Sequence, residues 1–391
     1  MLGNEDMHRR LGTVAAAVAT AAVITSTLLP TTSTAATTPT VRHVFTIVLE
    51  NEDFARTFGT GQAESPYLSR TLVRAGAFVP NYYGIGHSSL DNYIAMTSGQ
   101  GPNPDTQDDC RDPSTLGSDE TLQLDADGQA TGTLGCTYPK QVDSVGPQLS
   151  RAGFTWKGYM QDMDASPGVQ RTICRGPYTE NRIEKPVPTG NPKVPDDYRD
   201  KHNPFVYYHG VFDNLSYCDR HDVPLTPFVN DLQQIKTTPN YSFIVPNQCD
   251  DGHDMPNCSD GTPGGPPRYD AFLQKYIPLI QASPAYKRDG LIIILFDEGV
   301  TGLSCCNEKA SPMVGSGTNS GYPVPGPAGA GGGQTGAVLL SPFIKAGTVS
   351  TVAYNHYSYL RTIEDIFRVP HLGYAAQDGL AAFGPDIFTA S

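Results

Sequence analysis

The chain has 391 residues, with 27 Lys plus Arg against 40 Asp plus Glu and a formal net charge of -13. Such a length accommodates one large α/β domain or two smaller ones, either with room for a sizeable core. The acidic balance, with no long basic run past the first residues, argues against nucleic acid as a partner.

The N-terminal stretch reads as an export signal. His8, Arg9 and Arg10 precede an apolar run from Leu11 to Leu29, and small residues continue to Ala36. Residues 1–36 are therefore expected to be a signal peptide, residues 37–391 a single domain, and the mature protein secreted. Glu5 and Asp6 ahead of the arginines suit a start at Met7, and Arg9-Arg10 before Leu11-Gly12 is a weak twin-arginine match. An uncleaved anchor is the rival reading, against which the small residues before a Thr-rich stretch favour cleavage. No later run is long and apolar enough to cross a bilayer. Eight cysteines fit an oxidising compartment. Cys249 and Cys258 bracket a short polar loop and are the first expected pair, with Cys110 and Cys136 next. Adjacent Cys305 and Cys306 would close a strained ring, so partners elsewhere are expected for both.

In chain order, Val44 to Leu49 reads as a buried strand that runs into Glu50-Asn51. Ser65-Pro66 offers a cap and a first-turn proline for a helix that Gly76 closes. Ala77 to Tyr83 is the next strand-like run, leading to Gly86-His87-Ser88-Ser89 and a helix through Ile94 to Thr97 that ends at Gly99. Gly101 to Lys140 is polar and acidic, an inserted surface excursion. A short helix from Pro147 to Ala152 precedes a strand from Phe154 to Tyr159, and residues 161–200 are Pro-rich and irregular. Pro227 to Ile235 reads as helix and Tyr241 to Val245 as strand. A longer amphipathic helix from Tyr269 to Ala282 leads to Leu291–Phe296, an Ile-rich apolar run of the kind buried on both faces of a sheet. Asp297 and Glu298 follow at once. Gly299 to Gly333 is a Gly-, Ser- and Pro-rich loop, Val338 to Leu340 enters one last strand, and His356 stands before a helix from Tyr357 to Phe367. The alternation predicts a three-layer α/β/α sandwich with a mostly parallel central sheet, its loop insertions stapled by disulfides.

In such sheets the ligand crevice lies outside the carboxyl ends of the strands. Four segments deliver polar groups there: Glu50-Asn51, Ser88-Ser89, Asp250 to Asp254, and Asp297-Glu298. His356 adds a fifth. Converging carboxylates repel unless a cation sits among them, so a divalent metal is expected. The oxygen-rich set suits Mg, Ca or Mn, and adding His253 and His356 suits Zn or a second metal position. A metal beside a serine hydroxyl makes a nucleophile at moderate pH, and Ser89 at a helix start gains further from the helix N-terminus. Plainer readings compete. Serines before a helix are usually caps, with Ser88 the candidate, and Asp250, Asp251 and Asp254 suit a solvated turn or a calcium loop. His209 and His221 read as surface or packing residues. Paired acids at the end of a hydrophobic strand are harder to explain by solvation.

Glu50-Asn51-x-x-Phe54-x-x-x-Phe58-Gly59, His87-x-Ser89-x-x-Asn92-Tyr93, Lys201-His202-Asn203-Pro204, Asp251-Gly252-His253-Asp254, Phe296-Asp297-Glu298-Gly299 and His356-x-Ser358 together resemble the bacterial phosphoesterase family. That family, in the alkaline phosphatase superfamily, includes secreted acid phosphatases and phospholipases C. The resemblance runs from Val44 to Gly373 and implies a phosphoserine mechanism on a metal-bearing, alkaline phosphatase-like sandwich. Under it Ser89 matches the nucleophile, and Glu50, Asn51, Asp297 and Glu298 match the metal ligands beside it. Asn92 would hold a phosphate oxygen, and His253 and His356 match site histidines. His202 falls in the Lys-His-Asn-Pro motif and is expected at the substrate. Asp91 stands where relatives often have Pro. The implied activity is phosphate monoester hydrolysis, with phosphatidylinositol 3-phosphate a candidate substrate and phospholipase C-type diester cleavage the alternative. Substrates would be small or lipid phosphate esters, with at most transient membrane contact. A serine hydrolase built from Ser89, His356 and Asp297 is disfavoured because no Gly-x-Ser-x-Gly elbow is present.

Overall fold

Two hydrophobic clusters lie on opposite sides of one sheet, because successive residues of its central strands point alternately up and down. In the computed structural model of the chain, residues 40–110, 122–131, 135–164, 173–176, 197–253, 255–256, 258–313, 318–319, 322–323 and 331–388 are described. The expected signal peptide, most of the irregular 161–200 stretch and Asp254 lie outside them. Thr38–Ser391 forms one compact unit.

Among the described residues the sheet has eight strands: β1 (His43–Leu49), β2 (Ala77–Val79), β3 (Trp156–Met160), β4 (Asp222–Pro224), β5 (Tyr241–Val245), β6 (Gly290–Phe296), β7 (Ala337–Leu340) and β8 (Thr348–Val349). Their spatial order is β8-β2-β7-β6-β1-β5-β3-β4. All neighbours run parallel except β7, which is antiparallel to both β2 and β6. Val44 and Val48 of β1, with Leu291, Ile293 and Leu295 of β6, enter one cluster; Phe45, Ile47, Leu49, Ile292, Ile294 and Phe296 enter the other. Each such aliphatic side chain, removed from water on folding, contributes about 1.5–3 kcal/mol. On the first face lie α1 (Ser89–Ser98), through Leu90, Tyr93 and Ile94, and α3 (His356–Phe367), through Tyr359, Leu360 and Ile363. On the second lies α2 (Pro266–Ala282), through Phe272, Leu273, Ile277 and Ile280. The arrangement is the expected three-layer sandwich.

Four local readings need correction. The Ala77–Tyr83 run breaks at Pro80, which has no N–H for a ladder bond; only Ala77–Val79 joins the sheet, while Tyr82–Tyr83 pairs with Tyr354–Asn355. The helix after Ser65 is π-helical over Tyr67–Leu72 and α-helical only over Val73–Ala75. Ser65 does not cap it: its hydroxyl accepts from Tyr269, and the Asp270 carboxylate takes the Tyr67 and Leu68 amides. The Pro227–Ile235 helix shrinks to Phe228–Asp231. Cys305 and Cys306 bond to each other. The other six cysteines pair as Cys110–Cys136, Cys174–Cys218 and Cys249–Cys258, leaving no other partner, and left-handed φ values of 67° at Cys306 and 53° at Asn307 bend the chain there.

Candidate active site

Register builds the site. Leu49 lies opposite Phe296 in the parallel β1/β6 pair, so Glu50-Asn51 and Asp297-Glu298 leave the sheet side by side. Asp297 N donates to Leu49 O at 2.9 Å, and Glu50 N donates to Asp251 O at 2.9 Å, which draws in the segment after β5. Asn51 takes a left-handed φ of 48°, tolerated by Asn. Its N–H and that of Glu298 both donate to Asp297 Oδ1, at 2.9 and 2.7 Å, leaving Asp297 Oδ2 and Asn51 Oδ1 without partners among the described residues.

Ser89 is the first residue of α1 and 2 % exposed. Its Oγ donates to Glu50 Oε2 at 3.0 Å, and Tyr93, one turn on, donates its hydroxyl to Glu50 Oε1 at 2.7 Å. The ring of His202 stacks on Tyr93, with Nε2 3.4 Å from Glu50 Oε1 and Nδ1 3.5 Å from Asp251 Oδ2. Donor atoms of Glu50, His202 and Asp251 lie within 4.8 Å of one another, close enough to share an ion. His253 follows, its N–H on Asp251 Oδ1 at 2.9 Å.

Burial and mutual repulsion disfavour ionisation of the carboxyls in this cluster. Burial pushes the carboxyls of Glu50, Asp251 and Glu298 well up, and Asp297 to about 6. Asp297 raises the other three further, while Lys201 works the other way on all four. Burial lowers the His202 pKa, so the ring is neutral. Orphaned oxygens on Asn51, Asp251 and Asp297, beside a neutral imidazole, form a donor set that fits a divalent cation.

Other expected site residues spend their polar atoms on protein. Asn92 accepts from Ile85 N and Gly86 N and donates to Gly86 O and Ser88 O. To hold a phosphate oxygen it would have to release one of those carbonyls. His356 sets Nδ1 2.9 Å from the Tyr82 hydroxyl and Nε2 2.5 Å from Asp297 O. It buttresses the strand end rather than pointing past it. Ser88 is the N-cap residue of α1, but its hydroxyl donates to Gln107 O and the capping oxygen comes from Asp109, which accepts from Leu90 N. Asp91 is buried over Gly86, where a Cβ would lie 2.5 Å from its carboxylate. His209 sits near the surface against Asp213, and His221 stacks on Trp156.

Asp251, Tyr93, Lys201 and His87 stand in the sequence motifs without an assigned role, and Asp109 stands in none; His87 Nδ1 is 3.4 Å from Glu298 Oε2. Asp251 had a signal, its place at the end of a strand beside His253. Asp109 had none, because its partners are distant in the chain.

Comparison with known proteins identifies the family of the chain. The model of the Phosphoesterase family matches residues 63–370. A phosphatidylinositol-3-phosphatase of Mycobacterium tuberculosis is 24 % identical over 381 residues, covering 95 % of each chain. A phosphate-repressible acid phosphatase of Penicillium chrysogenum is 24 % identical over 327 residues, 84 % of this chain and 59 % of the fungal one, so this chain spans about three-fifths of that relative. Among solved structures, a sulfatase from Pseudoalteromonas has a TM-score of 0.46 at 13 % identity, over 90 % of this chain and 72 % of that one. A protein in the alkaline phosphatase superfamily from Vibrio parahaemolyticus has a TM-score of 0.44 at 12 % identity, over 84 % and 66 %. With the family match running from before Ser89 to beyond His356, the chain belongs to the phosphoesterase family.

Proposed function

We propose that the chain is a secreted, cation-dependent phosphomonoesterase that passes the phosphoryl group of its substrate to Ser89 and then to water. The observation that carries this reading is the buried Ser89 hydroxyl, 3.0 Å from Glu50, in a cluster of acids where Asp251 Oδ2 and Asp297 Oδ2 have no hydrogen-bond partner among the described residues. Glu50, Asn51, Asp297 and Glu298 would hold the ion beside Ser89, with Asp251 and His202 at the same rim. A bound divalent cation supplies Lewis acidity, easing deprotonation of the hydroxyl and offsetting charge on the phosphoryl oxygens.

The chain's own groups do the rest. Glu50 Oε2 is the acceptor toward which the Ser89 proton points, and Tyr93 fixes that carboxylate through Oε1. Ser89 Oγ bonds to phosphorus as the ester oxygen leaves, and water then cleaves the phosphoserine. His253 is the imidazole proposed to give the departing oxygen its proton, and neutral His202 stands beside Glu50 and Asp251 at the rim. Asn92 holds the Ile85–Ser89 loop, and His356 holds Asp297 in place. A lipid phosphate monoester as substrate is supported by the match to the mycobacterial phosphatidylinositol-3-phosphatase along 95 % of both chains.

The test uses p-nitrophenyl phosphate, phosphatidylinositol 3-phosphate and phosphatidylcholine side by side. Ser89→Ala is expected to lower turnover of the monoesters by at least about three orders of magnitude with the fold retained. EDTA should abolish activity, and added divalent metal should restore it. Mass spectrometry of acid-quenched enzyme should find phosphate on Ser89. Full activity of Ser89→Ala, or indifference to EDTA, would overturn the reading; preference for phosphatidylcholine would move it to a phospholipase C.

A further inference from the structure

A buried ion pair links the two halves of the site. Lys201 Nζ lies 3.0 Å from Asp109 Oδ2, with side chains 9 % and 4 % exposed. Lys201 directly precedes His202. The other Asp109 oxygen accepts from Leu90 N at 3.2 Å, in the first turn of the helix that begins with Ser89. One carboxylate therefore grips the helix that carries the nucleophile with one oxygen and the segment that carries His202 with the other.

The backbone around Asp109 is held in an unusual shape to do this. Asp109 and Cys110 are consecutive non-glycine residues in the left-handed region, at φ 50° and 54°. Such conformations carry a cost and persist where the surroundings over-determine them. Here Asp109 N donates to Thr106 O, Cys110 N donates to Asp105 O, and Cys110 is bonded to Cys136. The neighbouring Gln107 carbonyl takes the Ser88 hydroxyl at 2.5 Å, a second tie from this segment to the start of α1. Replacing a buried ion pair by apolar residues of similar size is often neutral or stabilising, so stability alone does not account for this one.

We infer that Asp109 is a positioning residue for the phosphoryl-transfer site, setting Ser89 against His202 through its two oxygens. The inference rests on the Ser89 mechanism proposed above. It also gives the 101–140 excursion a role: the Cys110–Cys136 disulfide anchors the strained turn from which Asp109 reaches the site. Displacement of reacting groups by about 1 Å is worth up to about a hundredfold in rate, which sets the scale of the expected effect.

The experiment compares Asp109→Asn, Lys201→Met, the double variant and Lys201→Arg in the metal-loaded enzyme, with p-nitrophenyl phosphate as substrate. Asp109→Asn keeps an oxygen for Leu90 N but loses the charge that holds Lys201. Its kcat should fall about tenfold to a hundredfold, KM should stay within about twofold, and metal content should be unchanged. The double variant should be no slower than the slower single variant, and Lys201→Arg should recover most of the rate. A kcat for Asp109→Asn within about twofold of the parent, or a double variant as slow as the product of the two single losses, overturns the proposal. A drop in melting temperature with kcat per folded enzyme intact assigns Asp109 to stability alone and equally overturns it. Ser89→Ala, run alongside, separates the two ideas: if it stays active, the mechanism itself has failed.

Discussion

Asp222 shows how a single buried acid leaves its mark on stability. It is fully buried, its Oδ2 accepts from Asn203 Nδ2 at 2.9 Å, and its Oδ1 has no partner among the described residues. Burial raises its pKa from 3.8 to about 8. Between about pH 4 and pH 8 the folded chain thus keeps a proton that the unfolded chain gives up. Stability from this residue is fully present below that window and declines as pH rises through it, by up to about 1.4 kcal/mol per pH unit. Asp222→Asn is neutral throughout and still offers Asn203 an oxygen. It should match the parent in melting temperature near pH 4 and exceed it near pH 7.5; parallel curves over that range would refute the assignment. Glu364, pushed by burial to about 9, adds a slope of the same sign, so the difference between the two proteins is the quantity to read. The same residue scale sets the limit of sequence reading. Asp297, Glu298 and Glu50 could be named because a residue that follows a buried strand has few places to go. Asn92 and His356 could be placed at the site, but not the direction of their bonds, which run to Gly86 O, Ser88 O, Tyr82 and Asp297 O. Lys201 and Asp109 are 92 positions apart, and neither says anything of the other until the chain is folded.

At the scale of elements, the loop that presents Ser89 is backed by a second loop, and glycine makes the crossing possible. Gly84 N donates to Gly333 O at 2.9 Å, Gly332 N to Gly84 O at 3.1 Å, and Gly299 N to Gly332 O at 2.7 Å. A Cβ on Gly332 would come within 2.5 Å of Gly84 C and Ile85 N and 2.6 Å of Gly86 O, all backbone atoms that cannot rotate away. Gly332→Ala is therefore expected to destabilise the fold by about 1–3 kcal/mol and to lower kcat together with it, since the displaced backbone leads directly to Ser89. Denaturant unfolding and steady-state kinetics on the same preparation check both, and an active variant of parental stability would show that the crossing is not tight. Strands β1, β5 and β6 were readable to within a residue or so because unbroken apolar runs leave little else for the chain to do. The interruption at Pro80 and the π-helix over Tyr67–Leu72 were not, since they depend on Tyr354–Asn355 and Asp270, partners brought in by tertiary structure.

For the whole molecule, the disulfides should separate stability from catalysis. Cys174–Cys218 spans 44 positions, Cys110–Cys136 spans 26 and Cys249–Cys258 only 9. All six sulfurs belong to buried residues, so paired Cys→Ser changes leave comparable packing defects and differ mainly in the freedom they return to the unfolded chain. The loop-length effect alone makes loss of the 44-position bridge about 1.4 kcal/mol more destabilising than loss of the 9-position one. Activity should follow another order. The Cys249–Cys258 bridge brackets Asp251 and His253 at the rim of the site, and Cys110–Cys136 adjoins Asp109. Removing either should lower kcat in protein that is still folded, whereas removing Cys174–Cys218 should act chiefly through stability. Unfolding free energies and kcat measured on the three double-serine variants give two rankings. If both follow bridge length, the Cys249–Cys258 bridge is only a brace and the segment around Asp251 does not depend on it for its placement.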